Sequence, residues 1–143
     1  MGIAEGLGTI GAHLRALRRL RRRFAAGQYE LVILVDYPGF HLRVAAAASN
    51  CGIPVLYYIA PQLWAWGAWR IGTIRKHVRQ IAAVLPFEAQ YFGSRGVEVE
   101  FVGHPLLDRD EATSTKSARA SFGIRSDAAV LGLLPGSRKS EID

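Results

Sequence analysis

The stretch YELVILVDYPGFHLRVAAAASNCGIPVLYYIA, residues 29–60, carries the pattern that decides the fold. Its two apolar runs, residues 29–36 and 53–60, are dense in β-branched and aliphatic side chains, which is typical of strands buried on both faces. Residues 41–52 between them predict a helix that ends at a glycine, and residues 37–40 predict a type II turn. A strand, a helix and a second strand in this order predict a parallel sheet.

The same alternation of helices and strands continues on both sides of this stretch. Apolar side chains at intervals of three or four residues predict an amphipathic helix over residues 3–25. Downstream, the pattern predicts a helix, a strand, a helix and a strand over residues 69–80, 81–86, 87–96 and 97–103. The order indicates an α/β fold, in which a parallel sheet carries helices on both faces.

A polar segment interrupts the alternation near the end of the chain. We interpret residues 1–107 as one domain, residues 108–127 as a linker and residues 128–143 as the start of a second α/β domain. The last part is expected to contain a strand over residues 129–134 and the first turn of a helix over residues 135–141. Because the chain opens inside a helical pattern and closes inside another, we expect a piece truncated at both ends.

The composition excludes several classes of protein. The chain has 143 residues and a net charge of +6, and half of its residues are hydrophobic. No apolar run approaches the roughly 18 residues that a membrane-spanning helix needs. Cys51 is the only cysteine, which excludes a disulfide framework and a cysteine-based metal cluster, and the four histidines lack the spacing of metal ligands. We therefore expect no metal site.

The first predicted helix carries a basic block, because six arginines fall within residues 15–23. Such a block can bind nucleic acid, anionic lipid or a phosphorylated ligand. The aromatic side chains are not interleaved with the arginines and no nucleic-acid-binding motif is present, so we expect no nucleic acid. One interpretation is an interfacial helix on an anionic membrane surface, and the other is a core helix with a solvated end. The membrane-facing residues would be Ile3, Leu7, Ile10, Leu14, Arg18 and Arg22.

Two side chains that follow predicted strands are candidates for acid–base chemistry. Asp36 lies at the carboxyl end of the first buried strand, where ligands bind in open α/β sheets, and could act as a general base on a hydroxyl. It could equally cap the turn that follows. His104, after the strand over residues 97–103, could exchange protons near neutral pH or could hydrogen-bond the backbone of its own turn.

The segment LLPGSRKSE, residues 133–141, predicts a phosphate-binding turn at the start of a helix. The free N–H groups of Gly136, Ser137 and Arg138 would point along the positive end of that helix, and Arg138 could add a bidentate contact. The alternative is a capped loop with Ser137 as the N-cap.

Several stretches together resemble the lipid-A-disaccharide synthase family, bacterial glycosyltransferases of the GT-B type. They are VDYPGFHLRVA, GIPVLYYIAPQLWAWGAWRI, VLPFEAQYFGSRGVEVEFVGHPLLD and LLPGSRKSE, together with the opening MGIAEGLGTIGAHLRALRRLRRR. The resemblance implies that the chain is the N-terminal half of a Rossmann-like, two-domain enzyme. Residues 1–107 would form the acceptor-side domain without its N-terminal strand, and residues 128–143 would begin the nucleotide-sugar (donor) domain.

The resemblance also implies a reaction. UDP-2,3-diacylglucosamine would donate its sugar, with inversion, to 2,3-diacylglucosamine 1-phosphate (lipid X). The products would be the β-1,6 lipid A disaccharide 1-phosphate and UDP, in the biosynthesis of lipopolysaccharide. The family needs no cofactor or metal and works as a peripheral enzyme at the cytoplasmic face of the inner membrane. Its partners would be these two acylated substrates and the anionic membrane surface.

By the same resemblance, Asp36 falls on the family's functionally important aspartate and Arg138 on residues that contact the nucleotide diphosphate. Where the family often has an aspartate and an asparagine, this chain has Gly39 and His41, so His41 is an alternative base. The segment YIAPQLWAWGAWRIG, residues 58–72, holds all three tryptophans and follows a strand at the same sheet edge as Asp36.

We expect Trp66 or Gln62 to face the acceptor sugar and Trp69 to lie in the core. A piece of this length is not expected to turn over by itself. Two alternatives remain, a non-catalytic α/β domain that binds lipid at the membrane surface, and another GT-B enzyme acting on a UDP-sugar. The sequence predicts no oligomeric state.

Overall fold

The computed structural model describes residues 3–109 and 114–136, with side chains over residues 10–108 and 114–136. The chain divides into two compact units, Met1–Asp108 and Arg109–Asp143. Unit 1 contains four helices and four strands, with a short 3-10 helix at Ala68–Arg70 and another that begins at Leu107. Their bounds are α1 Ile3–Ala25, β1 Val32–Val35, α2 Pro38–Ser49, β2 Val55–Tyr58, α3 Ile71–His77, β3 Gln80–Ala83, α4 Pro86–Gly93 and β4 Val99–Phe101.

The four strands of unit 1 form one parallel sheet in the order β1-β2-β3-β4. Along one row of the register, Leu34 pairs with Tyr57, Tyr57 with Ile81, and Ile81 with Val99. The α/β class, the parallel sheet and the Rossmann-like alternation that the sequence predicts are therefore confirmed. Parallel neighbours place all four carboxyl strand ends at one edge of the sheet, which is the edge that carries Asp36.

The hydrophobic core lies on one face of this sheet. Alternate strand residues, among them Leu34, Tyr57 and Ile81, share a single buried cluster with side chains of α1, α2, α3 and α4. On the opposite face, Ile33 and Val35 remain 56% and 46% exposed. Right-handed connections between neighbouring strands place successive helices on the same side. The described residues thus show one of the two helical layers that the sequence predicts.

The chain reverses after β1 by a different route from the predicted type II turn over residues 37–40, and that prediction is wrong. Asp36 and Tyr37 both adopt left-handed backbone conformations, and Pro38 begins α2 directly. Proline suits the first helical turn, since its missing N–H has no helical acceptor there. The helix consequently begins three residues before the predicted start and ends at Ser49.

Unit 2 contains one helix among the residues that the structure describes, α5 at Thr115–Ser121, with Ser114 as its N-cap. The strand predicted over residues 129–134 is not formed, and Leu131 is 96% exposed. A strand is stable only when a neighbour satisfies its backbone groups, and the described residues of this unit supply none. Ser137, Arg138 and the predicted helix over residues 135–141 lie outside the described residues, apart from its first two positions.

Candidate functional site

The carboxyl edge of the sheet contains three non-glycine residues in the left-handed conformation. Asp36 has φ 50° and Tyr37 φ 48°, directly after β1, and Ile59 has φ 59°, directly after β2. Each such residue costs of order 1–3 kcal/mol and persists only where its surroundings hold it, and such strain clusters at functional sites. Two adjacent strands therefore end in strained backbone at the predicted ligand edge.

The backbone carbonyl of Asp36 accepts two side-chain hydrogen bonds. The hydroxyl of Tyr57, a residue of β2, donates to this oxygen at 2.7 Å. Nδ1 of His41, a residue of α2, lies 2.7 Å from the same oxygen. A carbonyl oxygen only accepts, so His41 carries its proton on Nδ1. Burial raises the pKa of Tyr57 above its ordinary value of 10.0, the Asp36 charge raises it further, and Arg70 opposes both. Tyr57 is thus held as a protonated donor.

The Asp36 carboxylate is exposed and accepts no hydrogen bond from the side chains that the structure describes. Its position is therefore fixed through its own backbone rather than through its oxygens. A carboxylate in that state is free to accept a proton from a bound hydroxyl. This geometry is compatible with the predicted base, and the turn-capping alternative finds no carboxylate contact within residues 10–108.

The first turn of α2 is joined to α1 by aromatic contacts. The His13 ring stacks on Phe40 with 4.9 Å between ring centroids, and its Nε2 lies 3.3 Å from the Tyr37 hydroxyl. The first half of α1 therefore lies beside Asp36. Ile10 and Leu14 are exposed on that helix, as are Arg18 and Arg22, whereas Leu17 is buried. The side chains of Ile3 and Leu7 lie outside the described residues.

The tryptophan segment also lies at this edge and is attached to α4. Trp64 Nε1 donates to Glu88 Oε1 at 3.4 Å, and its ring meets Phe87 edge to face at 5.0 Å between centroids. Glu88 is 1% exposed, and its Oε2 accepts from the Leu85 backbone N–H at 3.1 Å. One buried carboxylate thus caps α4 and holds the loop.

The remaining tryptophans point away from the core. Trp66 is 76% exposed and Gln62 is exposed beside it, as a surface that meets a ligand requires. Trp69 is 78% exposed, so its predicted core position is wrong. The helix that it was expected to begin starts at Ile71, and a 3-10 turn places the Trp69 ring outside, next to Arg70 at 5.4 Å.

His104 lies apart from Asp36. It follows β4, three strands from β1, which corresponds to about 14 Å across the sheet. Its Nδ1 accepts from the Leu106 backbone N–H at 3.2 Å, the turn-holding role that was the alternative for this residue. The structure therefore brings Asp36 and His41 together and leaves His104 at the other end of the edge.

Gly136 is the one predicted diphosphate contact within the described residues. Its φ of 107° is a conformation that glycine adopts without strain, as a sharp turn needs.

Within the described residues, 3–109 and 114–136, no helix is long and apolar enough to cross a membrane. The same residues contain no group of three or more histidine, cysteine, aspartate or glutamate side chains placed to hold a metal ion.

Sequence reasoning missed Tyr57 and Glu88. Pro86 and, two residues later, a glutamate follow a strand, an order typical of a first helical turn, which could have identified the glutamate. Tyr57 had no such signal, because a tyrosine in a buried strand is an ordinary core residue until its hydroxyl is seen to meet a partner 21 positions away.

Comparison with known proteins gives a consistent result. The family model described as lipid-A-disaccharide synthetase matches residues 1–143. The lipid-A-disaccharide synthases of Geobacter sulfurreducens and Syntrophus aciditrophicus are 46% and 44% identical over 143 residues. The lipid-A-disaccharide synthase 1 of Legionella pneumophila is 39% identical over 144. Each alignment covers 99% of this chain, which spans 37–38% of the length of these relatives.

Proposed function

The chain belongs to the lipid-A-disaccharide synthase family, and we propose that it supplies the acceptor-side part of that glycosyl transfer. In this proposal, 2,3-diacylglucosamine passes from UDP-2,3-diacylglucosamine to 2,3-diacylglucosamine 1-phosphate. The observation that carries it is the exposed Asp36 carboxylate, held by its backbone at the carboxyl edge of the sheet. Family membership displaces the alternative of another GT-B enzyme.

The chemistry assigns one task to Asp36. Its carboxylate accepts the proton of the acceptor hydroxyl as that oxygen bonds to the anomeric carbon from the face opposite UDP. The bond to the UDP oxygen breaks, the electron pair leaves with the diphosphate, and the configuration inverts. Trp66 and Gln62, exposed at the same edge, are proposed to contact the acceptor sugar.

The leaving diphosphate requires positive charge. We assign this role to the backbone N–H groups of Gly136 and Ser137 and to the guanidinium of Arg138, by the chemistry of their sequence. These residues are proposed to begin the donor side of the site, and the rest of that side would come from the further length that the relatives have. On the same ground, residues 1–143 alone are expected to release no UDP.

Two acylated substrates require the protein to work at a lipid surface. Ile10 and Leu14 are exposed on α1 and Arg18 and Arg22 follow on the same helix, an arrangement that suits insertion of aliphatic side chains with arginines on lipid phosphates. We therefore propose peripheral association with the cytoplasmic face of the inner membrane. Both substrates and the anionic surface are then the partners.

The Asp36→Asn substitution tests the proposal in a full-length protein carrying these 143 residues. Loss of the base should lower the rate of lipid X-dependent UDP release by about 10²–10⁴-fold, the usual contribution of general base catalysis. The matched control is Glu98→Gln, the same carboxylate-to-amide change just before β4 at the opposite edge of the sheet. An active Asp36→Asn protein would remove Asp36 from the chemistry. Vesicle binding without any transfer would favour the non-catalytic lipid-binding domain.

A further inference from the structure

The carbonyl oxygen of Asp36 is the meeting point of three elements. The residue itself ends β1, Tyr57 approaches from β2, and His41 approaches from the first turn of α2. Both donor–acceptor distances are 2.7 Å, the usual length for the O–H···O bond of Tyr57 and the short end of the range for the N–H···O bond of His41. The Tyr57 side chain is fully buried, so its hydroxyl has a fixed position. The geometry is that of a clamp on one peptide plane.

The clamp acts on backbone that would otherwise relax. Asp36 and Tyr37 are consecutive non-glycine residues with positive φ, and an L-residue leaves that region unless contacts hold it. A return of Asp36 to extended backbone is a rotation about its N–Cα bond. This rotation moves the carbonyl group and Cβ together, because both are attached to the same Cα. Two hydrogen bonds on one carbonyl therefore determine where the carboxylate points.

We propose that Tyr57 and His41 are positioning residues, which hold the Asp36 peptide in the left-handed conformation and thereby aim its carboxylate at the acceptor hydroxyl. The inference rests on the proposed function of Asp36. It assigns to His41 a donor role through Nδ1 in place of the role of an alternative base. Tyr57 likewise stays protonated throughout the reaction, since burial and the charge of Asp36 both disfavour its ionised form.

Three substitutions separate these roles in a full-length protein carrying this chain. Tyr57→Phe removes only the hydroxyl. His41→Asn keeps a donor, because asparagine Nδ2 occupies the place of histidine Nδ1 along the side chain, but removes the titratable ring. His41→Leu removes both. We expect Tyr57→Phe and His41→Leu each to lower kcat about tenfold with little change in the KM of the acceptor, as loss of one hydrogen bond in the transition state would.

The His41→Asn variant decides between positioning and base catalysis. Positioning predicts that it retains most of the wild-type kcat and an unchanged pH–rate profile. A loss as large as that of Asp36→Asn, together with a changed acidic limb of that profile, would make His41 the base and overturn the inference. The double variant Tyr57→Phe/His41→Leu should lose more than either single variant and approach Asp36→Asn.

A second measurement does not depend on turnover. In ¹⁵N NMR spectra of neutral His41, the Nδ1–H tautomer is expected, and it should persist in Tyr57→Phe. An Nε2–H tautomer would overturn the clamp even in an active enzyme.

The activities of the variants separate this inference from the proposed function. An inactive Asp36→Asn protein combined with a fully active Tyr57→Phe would leave the proposed function standing and remove the positioning role. A wild-type protein without transferase activity would remove both.

Discussion

Glu88 is the charged residue that unit 1 buries most completely among its described side chains, with 1% of its surface exposed. Its two oxygens accept from the Leu85 backbone N–H and from the Trp64 indole. Glu88→Ala would leave the partly buried Leu85 N–H without an acceptor and would remove the acceptor of the Trp64 indole, whose ring is 41% exposed. The unsatisfied Leu85 N–H costs about 1–3 kcal/mol, and the lost hydrogen bond of the Trp64 indole adds about 1 kcal/mol.

We therefore expect Glu88→Ala to lower the free energy of unfolding by about 2–4 kcal/mol, measured by urea denaturation with tryptophan fluorescence as the signal. Glu88→Gln retains one acceptor oxygen and should lose less. The exposed residue Glu98 provides the control, since Glu98→Ala should change the free energy of unfolding by less than about 0.5 kcal/mol. Equal effects of the two alanine variants would show that Glu88 does not hold the loop.

At this scale, residues could be predicted from sequence only where local rules apply. Asp36 was found because the residue after a buried strand in a parallel sheet reaches the ligand edge. The exposure of Trp69 was not foreseen, since the 3-10 turn at Ala68–Arg70 rotates the ring outward before α3 begins. The contact of Tyr57 with Asp36 joins two strands through a side chain, and spacing along the chain carries no information about it.

Helix α1 is the element whose role goes furthest beyond packing. Leu17 and Phe24 are buried on it, while Ile10, Leu14, Arg18 and Arg22 are exposed. Ile10 lies seven residues before Leu17 and therefore on the same side of the helix, beyond the part of that side that the core covers. The exposed aliphatic and basic residues are then available to a lipid surface, and the contact of His13 with Phe40 relates that surface to the strand end that carries Asp36.

The double variant Arg18→Gln/Arg22→Gln tests this role of α1 in a full-length protein carrying this chain. Each arginine near an anionic surface contributes about 1 kcal/mol, so the affinity for vesicles of anionic lipid should fall about 30-fold. Sedimentation with vesicles of phosphatidylglycerol and phosphatidylethanolamine measures it. Lys76→Gln/Arg79→Gln removes the same charge near the end of α3, which α2 separates from α1. An equal loss in both double variants would show a general charge effect.

Among the elements, α1 has the predicted bounds, Ile3–Ala25, because a long stripe of apolar residues leaves little freedom in placing it. The start of α2 was missed by three residues, since Pro38 and Gly39 suit a turn as well as a first helical turn. Because Asp36 and Tyr37 adopt left-handed backbone conformations, the helix begins at Pro38 and no type II turn forms. That conformation depends on donors from other elements, which the local sequence does not contain.

At the scale of the molecule, β1 is an edge strand within the described residues. The backbone of Val32 and Asp36 bonds toward β2, and no described strand pairs with the other side. A cavity of about 310 Å³ lies there between α1, β1 and α2, lined mainly by apolar side chains. On the open face of the sheet, Ile33 and Val35 add exposed apolar surface. An unpaired strand next to apolar surface is a template for another chain.

We therefore expect the 143-residue chain alone to self-associate with increasing concentration, and Ile33→Lys to suppress that association. A lysine on an edge strand places a charge where a second strand would pair, and Ile33 is already 56% exposed, so the fold should tolerate it. Sedimentation velocity measures the oligomeric state, with circular dichroism to check the fold. Leu107→Lys makes a comparable change at a 73% exposed position outside any strand and should leave the association unchanged. If the chain stays monomeric at high concentration, or if both lysine variants behave alike, the edge of β1 does not drive association.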